Sequence, residues 1–211
     1  MYVTQGYDNL INRLNRKERR NGTDIPITVG ILIADCRDYF ARRKIFDCLS
    51  ALNIRSGPFI DFYIPGYAEI KMPKDANQEV LMQHLSRCDF RYDGKFYSFD
   101  ENEFFEVINK LENHELKVTG RTQLLLLPYK NGTLHFKDAT IFDLEKDEQS
   151  DIIESVKLFF DLIFDISKET TSIDEFRNRI MLDKTKHALI KFIKGHAIDA
   201  LKDISTILLG Q

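Results

Sequence analysis

The chain has 211 residues, 43% of them hydrophobic and 30% charged, with 30 Lys and Arg set against 33 Asp and Glu. Its 16 Phe and 8 Tyr are ample material for a core, which excludes wholesale disorder, and its 10 Gly and 5 Pro exclude collagen-like and low-complexity classes. A net charge of −3 disfavours a globally basic nucleic-acid binder while leaving room for a local basic patch.

Residues 1–24 read as a basic N-terminal arm. Leu10, Ile11 and Leu14 make one short amphipathic stripe, Arg13, Arg16, Lys17, Arg19 and Arg20 cluster around and after it, and Asn21 with Gly22 ends the segment as a turn. The cluster is the one place where nucleic-acid phosphates would be contacted, but a solvated helix face is the commoner use of such residues, and no aromatics interleave them. Nucleic acid is therefore not the partner the sequence favours. No signal-peptide core is read at the start of the chain. Apolar runs such as Leu124 to Leu127 fall far short of the ~18 residues a membrane span needs. Cys36, Cys48 and Cys88 are an odd, scattered set, which argues against a disulfide framework and for a reducing, cytoplasmic setting.

Ile27 to Ala34 is the clearest strand, apolar on both parities and so buried on both faces, as in a central parallel strand. Phe40, Ile45, Leu49 and Leu52 then predict a helix of about four turns, stopped by Ser56, Gly57 and Pro58. Phe59 to Ile64 is a second strand, closed by Pro65 and Gly66. This β-α-β order implies parallel pairing through a right-handed crossover.

Asp75 or Asn77 can cap a helix carrying Val80, Leu81, His84 and Leu85. Lys95 to Phe99 is a short strand, and Asp100 with Glu103 forms a capping-box pattern for a helix bearing Phe104, Phe105, Ile108 and Leu111. Thr122 to Leu127 is another buried strand, and the Asn131–Gly132 step predicts a hairpin into 133–144, with one antiparallel edge. Beyond residue 145 the chain reads as helical, over 151–167, 173–194 and 199–209. The expected organisation is thus an α/β domain over 25–145, built on a mixed, mainly parallel sheet with flanking helices, and a helical C-terminal region over 146–211.

Ligands of open α/β sheets sit beyond the carboxyl ends of the strands. The residues expected on that rim are Asp35, Arg37 and Asp38, then Tyr63, Tyr67 and Glu69, then Asp100 and Glu103. Glu69, Asp35 and Asp38 are the candidates for acid, base or nucleophile. Tyr63 and Tyr67 would stack on a base. Arg37, Arg42 and Arg43 would hold a phosphate, helped by a helix N-terminus. Against this, an Asp after a strand most often caps the next helix, and tyrosines around a Pro-Gly turn most often pack. Phosphate-loop and dinucleotide glycine patterns are absent, as are metal-ligand spacings among the five histidines and a nucleophile elbow; no metal or cofactor is expected. Cys36 beside the rim is a candidate nucleophile whose commoner role is packing.

Ile27–Asp38 together with Phe59–Glu69 resembles the opening of a flavodoxin-like Rossmannoid, of which TIR domains and nucleoside 2-deoxyribosyltransferases are the nearest groups, and Asp75–Glu79 is similar to the segment bearing the transferase glutamate. The resemblance implies cleavage of an N-glycosidic bond with a glutamate. The expected function is a nucleotide- or nucleoside-directed enzyme of N-glycosidase or transferase type. The alternative is a non-enzymatic sensor or scaffold, assembling as a homodimer through its apolar C-terminal helices.

Overall fold

The computed structural model of the protein describes residues 1–21, 27–56, 60–71, 86–119, 121–169, 175 and 178–182. Its backbone is a six-stranded sheet in the order β1-β3-β2-β7-β8, with β9 also on β7. Here β1 is Tyr2–Thr4, β2 Ile27–Ile33, β3 Asp61–Pro65, β7 Gln123–Lys130, β8 Thr133–Leu134 and β9 Thr140–Asp143. A second, three-stranded sheet runs β4-β6-β5, from β4 (Tyr67–Ile70), β5 (Phe90–Tyr92) and β6 (Lys95–Phe99).

The β-α-β unit forms as the sequence predicts: β2 pairs parallel with β3, Gly30 opposite Phe62. The sheet is mixed but not mainly parallel. β1 and β2 flank β3 in parallel, whereas β7 pairs antiparallel with β2, β8 and β9, and the second sheet is antiparallel throughout. β7 is buried at every position from Gln123 to Tyr129. Burial on both faces reports helical cover on both sides, not strand direction. The Asn131–Gly132 step turns β7 into β8, and the chain then detours through a 3-10 turn at Phe136–Asp138 before β9 rejoins the same edge of β7.

The sheet is sandwiched. On one face Leu10 and Leu14 of α1 (Tyr7–Asn21) and Phe104, Val107 and Leu111 of α4 (Glu101–Glu112) cover Val29, Ile31, Leu125 and Leu127. On the other, α2 (Tyr39–Lys44), α3 (Leu49–Ser56) and α6 (Val156–Glu169) cover Leu32, Phe62, Leu124 and Leu126. A short helix, α5 (Leu144–Gln149), is capped by Asp143 as β9 ends. Phe62 packs against Phe160 and Phe164 at ring distances of 5.3 and 5.6 Å. Each such buried side chain contributes roughly 1.5–3 kcal/mol. Gly30 makes this packing possible, since a Cβ there would lie 2.4 Å from the Phe62 ring.

Three expectations are corrected. The arm expected over 1–24 is built into the domain: β1 ladders onto β3 and Leu10 and Leu14 are fully buried. A three-residue edge strand is too short to leave a pattern in sequence. The four-turn helix after β2 is broken into α2, a 3-10 turn at Phe46–Cys48 and α3, as Cys48 N–H donates back to Ile45 O. Finally, Cys36 and Cys88 form a disulfide, leaving Cys48 free; spacing alone does not reveal that the fold brings the first two together.

The apolar helix expected over 151–167 begins at Val156, with Ser155 Oγ accepting from Leu158 N–H. Its Phe159, Phe160, Ile163, Phe164 and Ile166 are buried within the chain. Leu158 is its exposed large apolar residue among those described, so this helix does not demand a second subunit. The predicted helix around Val80, the Asp75–Glu79 segment, most of 173–194 and all of 199–209 lie outside the described residues. No described helix is long and apolar enough to cross a membrane.

Candidate functional site

Of the polar residues expected at the carboxyl ends of the strands, Asp35, Arg37 and Asp38 follow β2, and Asp100 opens α4 beside them. Gln5 follows β1 and Gly66 follows β3. Gly66 joins them: its N–H donates to Gln5 O and its carbonyl accepts from Asp100 N–H, at 2.8 and 2.9 Å. That second bond uses the donor a capping box would give to Glu103, so Asp100 accepts from Glu103 N–H without the reciprocal bond.

This rim is occupied by its own charges. Arg37 donates through Nε and Nη2 to Asp35 at 3.0 and 2.7 Å, and through Nη1 to Glu101 at 2.5 Å, while its guanidinium lies over the Phe99 ring. The hydrogen bonds to Asp35 and then Glu101 raise its pKa further above its already high range. Two carboxylates, Asp35 and Glu101, thus hold the one arginine, leaving it no free face for a phosphate. Asp38 accepts from Phe40 N–H, Ala41 N–H and Thr122 Oγ1–H, so it caps α2 and fills the helix terminus expected to hold an anion. Arg43 donates to Tyr39 Oη on the exposed flank of α2, and Arg42 lies half-buried on the same helix.

The stacking roles expected for the tyrosines are corrected by burial. Tyr67 is 1% exposed, and its hydroxyl donates to Ala34 O at 2.6 Å and accepts from Cys36 N–H at 3.0 Å. It is a strut between the two sheets. Tyr63 is equally buried, with a neighbouring ring, Tyr2, stacked at 5.3 Å. Glu69 does not join the rim ion pairs; it points along the second sheet and accepts from Lys95 Nζ at 2.6 Å.

Lys95 leads to a second place, which the sequence did not single out. At the amino ends of β1 and β3 a cleft of about 360 Å³ opens, lined by Met1, Tyr2, Val3, Arg13, Asn53, Asp61, Tyr92, Asp93, Lys95 and Tyr97. That volume is at the lower end of the range for small-ligand sites. Five parts of the fold build it: β1 supplies Tyr2, α1 supplies Arg13, α3 supplies Asn53, β3 supplies Asp61, and the tight β5–β6 hairpin supplies Tyr92 and Lys95. Asp93 and Gly94 turn that hairpin with φ of 51° and 74°, the positive pair of a two-residue turn. The Met1 amino group donates to Asn53 Oδ1 at 2.5 Å and Tyr92 Oη donates to Met1 O at 3.0 Å, which tie the walls together.

Asp61 is the most informative residue of the cleft. It is 5% exposed and opens an otherwise apolar strand. Tyr63 lies two residues on, on the same face of the strand. Burial first, and then the Asp61 charge, hold the Tyr63 phenol far above its usual range, so it stays protonated. Arg13 lies 5.4 Å from the Tyr2 ring centroid and opposes that shift. Burial pushes Tyr92 up to about 12, and the hydrogen bond to Glu69 raises Lys95. The cleft therefore holds two cations, a buried carboxylate and a partly exposed tyrosine ring. Its one legible sequence signal was the carboxylate within Phe59–Ile64.

No described cluster of three or more His, Cys, Asp or Glu could hold a metal ion. No protein-family model, curated protein or solved structure matches the chain.

Proposed function

We propose that the protein binds a nucleoside or nucleotide in the cleft at the amino ends of β1 and β3 and acts on its N-glycosidic bond. The observation that carries this reading is Asp61, a carboxylate 5% exposed at the head of β3, which lines a polar cleft together with Arg13 and Lys95. A cleft with a few convergent polar groups is the place to look for a ligand, and a carboxylate among them is a candidate for acid–base work. In this reading Tyr2, 39% exposed, offers its ring to the base. Asn53 and Asp61 meet ribose hydroxyls, and Arg13 and Lys95 meet a phosphate. Glu69 acts through Lys95, as its ion-pair partner, and is a positioning residue here. The site itself is moved from the carboxyl-end rim, where Arg37 is already held by Asp35 and Glu101.

The test is a panel of nucleosides, nucleoside monophosphates and NAD, read by calorimetry for binding and by chromatography for released base. Binding is expected for at least one phosphorylated member, weakened tenfold or more by Arg13→Ala. Asp61→Asn is expected to abolish base release while leaving the melting temperature close to that of the wild type. If no member binds at millimolar concentration, the reading is wrong.

A further inference from the structure

One of the links between the second sheet and the first is covalent. Cys36, just past β2, is bonded to Cys88, two residues before β5, across a sequence separation of 52. The two anchors differ in firmness. Cys36 is 3% exposed, and its N–H is held by Tyr67 Oη, which in turn donates to Ala34 O. Cys88 is half-buried and belongs to a short turn in which Ser86 and Asp89 bond one another.

Beyond Cys88, β5 is an edge strand, paired with β6 alone through Phe90, Arg91 and Tyr92. A ladder that short is marginal by itself. It is pinned at one end by the disulfide and the Phe90 ring against Phe46 and Tyr67, and at the other by Tyr92 Oη on Met1 O. The same hairpin carries Tyr92 and Lys95 into the cleft.

We propose that the Cys36–Cys88 disulfide is a reversible redox tether that holds the β5–β6 wall of the cleft, so that its reduction by a dithiol lowers affinity for the ligand. This rests on the ligand-binding reading of the cleft given above. The reaction is ordinary thiol–disulfide exchange. A thiolate of the dithiol attacks the more accessible Cys88 Sγ, the S–S bond breaks, and its electron pair leaves on Cys36 Sγ, which takes up a proton. The second thiol of the reductant then displaces Cys88 as a thiol, and the reductant departs as a disulfide. Two electrons and two protons pass to the protein. Cys36 stays in place through Tyr67, while β5 loses its covalent anchor and keeps only its short ladder and the packing of Phe90 at that end. The wall of the cleft is the element released.

The experiment uses the full chain carrying Cys48→Ser, which removes the third thiol from exchange. Adenosine monophosphate binding is compared for the oxidised protein, for the protein reduced with dithiothreitol, and for the added Cys36→Ser, Cys88→Ser pair. Hydrogen exchange of residues 88–97 and of β2 and β7 is read in parallel. The tether predicts a tenfold or greater loss of affinity on reduction, matched by the Ser pair. It also predicts faster exchange confined to 88–97, with β2 and β7 protected. Binding within twofold in both redox states overturns the proposal, as does full alkylation of Cys36 and Cys88 in protein kept free of reductant. Global unfolding on reduction overturns it too, because the bond would then be a staple of the whole fold. If the oxidised protein binds no nucleotide, the functional reading fails separately. Exchange over 88–97 then decides the tether by itself: unchanged exchange on reduction ends it.

Discussion

Replacing Gly66 by Ala tests how the two sheets are joined. Gly66 sits between β3 and β4 with φ of +88°, a left-handed backbone that costs a residue bearing a Cβ about 1–2 kcal/mol. A Cβ there would also lie 2.7 Å from Phe104 Cβ, 2.8 Å from its ring and 3.0 Å from its Cα. The last of these is backbone at the start of α4, so no rotamer change relieves it. Overpacking of this kind costs about 1–3 kcal/mol. Moving Gly66 aside would loosen its bonds to Gln5 O and Asp100 N–H, the hinge of the rim. The total expected loss is about 2–5 kcal/mol. Gly94→Ala is the matched control, since Gly94 has φ of +74° but nothing within 4 Å of a Cβ. It bears the conformational cost alone, and the stiffening of the unfolded chain by Ala is common to both. Urea unfolding of the two variants and the wild type gives the difference directly. Gly66→Ala is expected to be less stable than Gly94→Ala by about 1–3 kcal/mol. Equal losses would show that α4 does not press against the turn, and the packing argument would fail.

Asp38→Ala should cost about 1–2 kcal/mol in urea unfolding, through the lost cap of α2, and leave ligand binding unchanged; a loss of activity without a loss of stability would return Asp38 to the catalytic set. Tyr92, raised by burial to about 12, favours the folded state fully below the unfolded pKa near ~10. That stability drains away as pH rises from there through the folded value, so the melting temperature should fall over this window; a flat profile refutes the burial. Deleting Met1–Gln5 removes β1 and bares the β3 edge, so the truncated chain should melt well below the full one. An unchanged melting temperature would mean that β1 is dispensable.

Several features are legible in the sequence. The β2–α2–β3 order was read from its apolar runs and came with the parallel pairing it implies. The Asn131–Gly132 hairpin and the Asp100 cap of α4 follow from turn and cap chemistry, which acts over a few residues. The gathering of Asp35, Arg37 and Asp100 near one rim was also legible, because each follows a strand or opens a helix. What these residues do there was not. Whether Arg37 awaits a phosphate or is already held depends on Glu101, a residue 64 positions away.

The sequence by itself determined that this chain carries a buried sheet, helices on its flanks and enough aromatic mass for a core, since periodicity and composition are local properties. The tertiary structure alone decided the direction of β7. A strand covered by α4 on one side and α6 on the other is apolar on both faces whichever way it runs. It likewise decided that β1 completes the sheet, that Cys36 meets Cys88, and that the cleft lies at the amino ends of the strands. Each of these depends on residues brought together from distant parts of the chain, where pairing is set by the closure of the whole sheet and not by any pattern within one segment.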